Sequence, residues 1–485
     1  MNRCLILSLV LCPAVAFGQQ GVWEDPFGFG DSTLGFTRAV HLVHVWNGQT
    51  TKVLALSYNF PDSRLWTPPP ASLPGAPGVF ESADLPTFTF CGGHSALPDG
   101  RILHVGGGEF RGPYLDGADL FDPFNPVGSQ WNNPTVPPDM SFRRWYPTAT
   151  TLGDGRIFVC AGLQDDGGSH ATIPELYDPI ANMWTVLVSA NRLQRLYPYM
   201  FVLPDGNLVD AGPGQTSFLN PSTWTWSGSI PEPPGPNPPG SGGSAVMYEP
   251  GKIMRCGGQS TAVATTWVVD LNNSDTPWLV ADDMNKRRRN HNLVILPDGK
   301  VLAVGGNTDG NQSGAVFEAE IFDPASGKWS LQPPSDPNEK RMYHSTAMLL
   351  PDGRVVLAGG DTRRTAQIFK PPYITSGAPR PTISSAPQYM QYGQTYTMYY
   401  NPNGGPEVTK ACLIRLASVT HGFDQDQRRV PLELPGDAAI PALEITAPAN
   451  ANIAPPGFYM LFILNEYKAN QFAPCEMAAY VQIGP

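Results

Sequence analysis

Along most of the chain, short apolar runs alternate with polar turns in a fixed order. An apolar run leads into an Asp-Gly or similar turn, a second apolar run follows, and a Gly-Gly pair closes the unit. The copies are PDGRILHVGG from Pro98, GDGRIFVCAG from Gly153, PDGNLVDAGP from Pro204, EPGKIMRCGG from Glu249, PDGKVLAVGG from Pro297 and PDGRVVLAGG from Pro351, with a degenerate WNGQTTKVLALS from Trp46. Two apolar runs flanking such a turn predict a β-hairpin. With Asn47, Asp99, Asp154, Asp205, Pro250, Asp298 and Asp352 taken as equivalent, the unit advances by 52, 55, 51, 45, 48 and 54 residues. Most copies continue to a further apolar run, a turn and a tryptophan, as in LYDPIANMW (176–184) and IFDPASGKW (321–329).

Four strands per repeat at this period predict an all-β fold, a seven-bladed kelch-type β-propeller over residues 19–377 whose closure removes open sheet edges. The repeat stops after IFKPPYITSGAPRP (368–381). Beyond it, QTYTMYY and KACLIRLASVT alternate apolar and polar positions, which predicts an immunoglobulin-like β-sandwich over 378–485. At the other end, residues 1–18 read as a secretory signal: Arg3, an apolar run too short to span a bilayer, then small residues. A soluble, secreted or periplasmic monomer without a membrane span is expected.

Composition narrows the partners. The 485 residues include 50 Gly and 52 Pro, yet 41% are hydrophobic, which supplies a core and argues against disorder. A formal charge of −11 argues against nucleic acid or an anionic membrane as the main partner. The basic run RRR at 287–289 reads as a solvated loop. Of seven cysteines two fall in the leader, leaving an odd set: Cys91, Cys160, Cys256, Cys412 and Cys475. Cys160 and Cys256 sit in apolar strands, Cys412 and Cys475 are able to pair, and Cys91 lacks an explanation.

Register supplies candidates. Eight positions before the turn residue stand Cys91, Tyr146, Tyr197, Asn290 and His344 in five of the repeats. Equivalent positions in a propeller lie at one height around the axis, so these side chains share a level. Reuse of one slot suits packing as readily as chemistry. Tyr343 precedes His344, and neighbours on a regular strand face opposite ways, so both reach one centre only if the backbone there is irregular.

With these motifs assembled, the chain resembles the copper-radical oxidases, galactose oxidase and glyoxal oxidase, over nearly all of its mature length. TFTFCGG carries Cys91, RRWYPTATTLGDGR carries Tyr146, KRMYHSTAMLLPDGR carries Tyr343 and His344, and LIRLASVTHGFDQDQRRVPL carries His421. The resemblance implies one copper ion held by Tyr146, Tyr343, His344 and His421, with His421 delivered on a loop of the C-terminal domain. It implies a thioether between Cys91 and Tyr146, a tyrosyl radical on Tyr146 and Tyr343 as general base. It implies oxidation of small aldehydes, through their hydrates, or of primary alcohols, with O2 leaving as H2O2. Copper(II) suits imidazole ligands and a tetragonal set, and a bound cation favours the phenolate.

The chain departs from galactose oxidase where a tryptophan would cover the linked tyrosine: AGLQDDGGSHATIPELYDP offers Gln164 and His170. The sugar-binding arginine lacks a clear match, although Arg192 and Arg195 in NRLQRLYPYM lie near. RWYPT and LYPY look more like the glyoxal oxidase branch, which favours small aldehydes over galactose. Tyr197 and His291 are compatible with lining the substrate cavity or with packing behind it; His41, His44, His94 and His104 read as structural. A carbohydrate alcohol oxidase and a non-catalytic kelch binding protein are the rival readings. Peroxide assays with aldehydes and galactose separate the first, and absence of copper and thioether would mark the second.

Overall fold

The computed structural model describes residues 20–31, 35–57, 63–83, 85–109, 113–212, 214–233, 239–273, 276–436 and 441–485, so the leader expected over 1–18 lies outside the described residues. Among the described residues the helical segments are one 3-10 turn, Val188–Ala190, and the four-residue helix Pro372–Thr375. No helix there is long and apolar enough to cross a membrane.

Seven antiparallel sheets follow one another, each opening with the apolar run that precedes a repeat turn. These first strands are His41–Trp46, Gly93–Ala96, Thr148–Thr151, Met200–Val202, Ser244–Glu249, Asn292–Ile295 and Ser345–Leu349. Each pairs with the run after its turn, as where Thr148 stands opposite Cys160. The turn requires a residue at positive φ, and the glycine there supplies it, at +91° in Gly100 and +77° in Gly251.

Apolar side chains weld each sheet to the next. Val43 and Leu54 of the first meet Ala96 and Ile102 of the second, whose Leu103 and Val105 meet Ala149 and Val159 of the third. The pattern continues through Phe158 against Val202, Val209 against Ile253, Met254 against Val301, and Leu302 against Leu357. Met348 and Ala358 of the seventh then pack on Leu42 and Val53 of the first, so the succession returns on itself. Each fully buried aliphatic side chain in these seams contributes about 1.5–3 kcal/mol relative to exposure.

Three sheets depart from the simple repeat. In the second, Trp131 makes only an isolated bridge to Phe121 where a fourth strand would lie. The sixth carries an added hairpin, Asn307–Asp309 with Ser313–Ala315. The seventh is completed from the other end of the chain, since Val22–Trp23 and Phe27–Gly28 pair with Thr365–Lys370.

After Thr375 the chain forms two further sheets. Thr382–Ser385, Thr395–Asn401 and Ala442–Thr446 make one; Gly457–Lys468 is central to the other, between Val408–Arg415 and Ala479–Gly484. Their shared core includes Tyr400, Ile445, Leu413 and Ile463, and is continuous with Val294 and Leu349 of the sixth and seventh sheets. Cys412 and Cys475 are both buried here without a bridge, and the five described cysteines are all unbonded.

One excursion of this unit matters for function. The hairpin Ser418–Thr420 and Phe423–Asp424 adds to the inner edge of the first sheet, with Thr420 opposite His41. The following DQDQR stretch satisfies strand ends inside the ring of sheets. Gln425 Oε1 accepts from the Ala149 amide at 2.9 Å, Asp426 from the Ala96 amide at 2.7 Å, and Arg428 donates to the Val202 carbonyl at 2.8 Å. Buried polar groups need such partners, and here they tie the insertion to three different sheets.

Candidate metal centre

The positions eight before each turn residue are Ala39, Cys91, Tyr146, Tyr197, Gly242, Asn290 and His344. All seven are left-handed, with φ from +46° at Tyr197 to +76° at Gly242. That region costs a non-glycine residue about 1–2 kcal/mol, so six such residues at one level mark a constrained feature of the fold. Their backbones are linked in series: the Tyr146 amide donates to the Cys91 carbonyl at 2.9 Å, and the Tyr197 amide to the Tyr146 carbonyl at 3.0 Å. Left-handed φ breaks the strand alternation. This is the irregularity that lets adjacent Tyr343 and His344 face one centre; their rings lie 3.8 Å apart between centroids.

The five side chains converge there. Ligand atoms of Cys91, His344 and His421 all lie within 4.8 Å of one another. The Cys91 sulfur is 3.4 Å from His421 Nε2, and the hydroxyls of Tyr146 and Tyr343 are 2.8 Å apart. His421 sits at the tip of the inserted hairpin with φ +51°, and its ring stands perpendicular to those of Tyr146 and His344.

Hydrogen bonds fix which imidazole nitrogen can bind a metal. The Thr420 hydroxyl donates to the Val40 carbonyl at 3.3 Å, so its oxygen accepts from His421 Nδ1–H at 2.6 Å. His421 Nε2 therefore carries the lone pair. His344 Nδ1–H donates to the Asp361 carboxylate in a short contact, which also puts its lone pair on Nε2. A carboxylate behind a ligating histidine orients the ring and raises its basicity. Cys91 is held from behind: its amide donates to His41 Nε2 at 3.2 Å, and His41 Nδ1–H then donates to His94 Nε2 at 3.0 Å.

Burial keeps the whole cluster neutral. It raises the Tyr146 phenol far above its ordinary value, with Cys91 and Tyr343 adding to the effect. It raises Tyr343, against which the Arg289 guanidinium acts, and it raises the Cys91 thiol. It lowers His421, with help from His344 and His94, and lowers His344, which Asp361 partly offsets. Two neutral imidazoles and two phenols around one point form an N2O2 donor set, which fits copper(II) and supplies no acid cage for calcium or magnesium. A cation bound there would invert the phenol shifts.

Comparison with known proteins covers the stretches that carry these residues. The family model for the glyoxal oxidase N-terminus matches residues 77–376, and that for the galactose oxidase-like early set domain matches 380–470. The chain belongs to the glyoxal oxidase family. It is 30% identical over 420 residues to a galactose oxidase of Gibberella zeae, covering 78% of this chain and 58% of that protein. It is 29% identical to an aldehyde oxidase GLOX of Vitis pseudoreticulata, covering 78% and 80%, and 30% identical to a WSC domain-containing protein of Arthroderma benhamiae, covering 82% and 46%. The chain thus spans about half the length of the latter relative. A solved fungal alcohol oxidase in complex with copper superposes at TM-score 0.78 over 96% of this chain and 99% of that one, at 23% identity.

In this glyoxal oxidase-family chain the cluster floors a cavity of about 470 Å3. His170, Arg195 and Tyr197 line it, together with Tyr146, Tyr343 and His421. The other three residues expected in the lining lie elsewhere. His291 follows left-handed Asn290 and turns away from it, buried with Nε2 3.4 Å from the Cys256 sulfur. Arg192 lies over the Trp226 ring at 4.6 Å and donates to Gln215. Gln164 donates to the His170 carbonyl at 3.1 Å, bracing the loop that presents His170.

Asp361 and Arg289 are functional neighbours that the motifs did not single out. Asp361 follows a Gly-Gly pair and lies seventeen residues after the slot residue it binds; Asn307 binds Asn290 at the same offset, at 2.9 Å. The RRR run is no solvated loop, since Arg288 is buried on Glu320 and Arg289 lines the cavity. Only Arg287 of the three is exposed.

Proposed function

We propose that this protein is a secreted copper-radical oxidase. It converts small aldehydes, as their hydrates, or primary alcohols to oxidised products while O2 is reduced to H2O2. The convergence of the Cys91 sulfur, two imidazole nitrogens and two phenols at the cavity floor carries this reading. The names of the galactose oxidase and aldehyde oxidase relatives support it. In the same reading the closed succession of seven sheets, 19–377, is a seven-bladed kelch-type propeller, 378–485 is an immunoglobulin-like sandwich, and 1–18 is a cleaved signal peptide.

His344 Nε2, His421 Nε2, Tyr146 and Tyr343 would hold the copper, which supplies a one-electron couple and polarises a bound oxygen. Tyr146 supplies the second electron acceptor as a phenoxyl radical. Joining the Cys91 sulfur to a Tyr146 ring carbon forms one C–S bond, loses the S–H and one C–H, and passes two electrons and two protons to O2. The thioether lowers the potential of the ring and spreads the unpaired electron. Tyr343, hydrogen-bonded to Tyr146, takes the substrate hydroxyl proton as general base. Tyr197 and His421 wall the floor on the side of Tyr146, their rings 4.8 Å apart. The cofactor is thus built from the chain's own side chains, and the fold supplies position.

The decisive experiment is intact and peptide mass after aerobic copper loading. The reading requires a Cys91–Tyr146 cross-linked peptide two hydrogens lighter than its parts, and peroxide release with small aldehydes. Separate, unmodified peptides from fully loaded protein would falsify it, and peroxide from galactose alone would move the substrate to carbohydrate alcohols.

A further inference from the structure

The cavity over the cluster carries a charge opposite to that of the chain. The protein has a formal charge of −11, yet among the described residues lining this cavity there is no Asp or Glu, and the two fixed charges are Arg195 and Arg289. Neither guanidinium forms an ion pair among the described residues, whereas buried Arg144, Arg288 and Arg341 nearby are each paired with a glutamate. Arg289 donates to the Ser260 carbonyl at 3.3 Å, while its Nε is buried with no hydrogen-bond partner. Arg195 donates to Ser241 at 2.6 Å from the exposed rim. His170, also in the lining, has a buried Nδ1 without a partner.

Both guanidiniums lie over bare backbone. A Cβ on Gly242 would fall 3.1 Å from Arg289 Nη2, and one on Gly214 would fall 3.2 Å from Arg195 Nη2. The two glycines leave the width that the planar groups occupy. Arg289 and Tyr343 line the same cavity. An anionic group bound by Arg289 would therefore sit beside the atom that accepts the substrate proton.

Resting on the reading above, we propose that the preferred substrate is a small aldehyde carrying a carboxylate next to the reacting carbon. Arg289 receives the carboxylate and Arg195 gathers the anion at the rim. A partly buried guanidinium lacking a counter-ion suits this task, because its fork matches a carboxylate bidentately and charge-assisted hydrogen bonds are the strong ones. The hydrate of such an aldehyde loses two electrons and two protons to become a dicarboxylic acid, and O2 takes up both pairs as H2O2. The cationic rim also raises the local concentration of anions on an otherwise acidic protein.

The test uses metal-free full-length protein, so that copper plays no part in binding. Titration with oxalate in a calorimeter is expected to give saturable binding that weakens as salt is raised, with no binding of the neutral diamide oxamide. Arg289→Gln should weaken oxalate by about tenfold or more, Arg289→Lys should recover part of this, and Arg195→Gln should have the smaller effect. In copper-loaded protein, the ratio of kcat/KM for glyoxylate over glyoxal should fall about tenfold in Arg289→Gln. Equal binding of oxalate and oxamide, no saturable oxalate binding by folded protein, or an unchanged ratio overturns the assignment. Lack of the cross-linked peptide would instead strike the oxidase reading, and leaves the oxalate titration to judge the anion site alone.

Discussion

The phenolic oxygens of Tyr146 and Tyr343 lie 2.8 Å apart although 197 positions separate the residues in the chain. One hydroxyl must donate and the other accept, so a single proton position links the ring proposed to carry the radical with the ring proposed to take the substrate proton. Burial holds both phenols protonated in the metal-free fold. The pair is thus assembled before any cation arrives.

Replacing Tyr343 with Phe removes the proposed proton acceptor and keeps the ring. Turnover should fall about 10²–10⁴-fold, the range for loss of a positioned acid–base group, with KM changing much less. Copper stoichiometry and the cross-linked peptide mass should persist. A loss in turnover under tenfold with intact copper would remove Tyr343 from the base role.

Asp361 acts through His344. In Asp361→Asn the imidazole keeps a partner but loses the charge behind it, and copper affinity should drop about 10–100-fold. Competition titration against a chelator reads this directly. Unchanged affinity would mean that the Asp361 charge does not act on the metal through His344.

Gly242 is the one glycine among the seven left-handed slot positions. Gly242→Ala should destabilise the fold by about 1–2 kcal/mol, because φ is +76°. The new methyl meets the end of the flexible Arg289 side chain, which can shift, so the backbone strain sets the cost. Denaturant unfolding measures it, and oxalate binding reports the displaced guanidinium.

Five buried histidines outside the ligand set make stability depend on pH. Burial lowers His44, His94 and His291 to about 3, His104 to about 4 and His41 well below its ordinary value in the folded state. Their stabilising contribution is complete above the unfolded value of about 6.5 and is lost as pH falls toward the folded values. Each proton bound only by the unfolded chain removes about 1.4 kcal/mol per pH unit. Asp424, raised by burial to about 7, works the other way between pH 4 and 7, as do Asp210, Asp298 and Asp426, which burial also raises, so the carboxyls offset part of the histidine effect. Urea midpoints of metal-free protein should therefore fall steeply from pH 6.5 to 4; a flat profile would contradict the buried neutral imidazoles.

Much of this was legible in the residues. Asp-Gly turns between apolar runs predict the hairpins, and their spacing alone aligns Cys91, Tyr146, Tyr197, Asn290 and His344. What the spacing hides is the sign of φ, since Cys, Tyr and His do not announce a left-handed backbone as glycine does. That hidden sign is why the alternation rule fails at Tyr343 and His344. His291, one residue past a slot, shows the opposite failure: proximity in sequence sent its side chain to Cys256. Arg289 was hidden in a basic triplet that an irregular segment splits in three directions. Pairing of the first residues with Thr365–Lys370 had no motif to signal it, because a closing strand needs only edge hydrogen bonds.

The hairpin of residues 418–424 has a consequence for biosynthesis. It is made after all seven sheets have left the ribosome, and it must thread onto His41–Trp46, among the earliest strands translated. A nascent chain whose sheets have folded holds His344 but not His421, and so lacks one imidazole of the pair. The N2O2 donor set is therefore complete only once the last-made unit has docked on the first sheet.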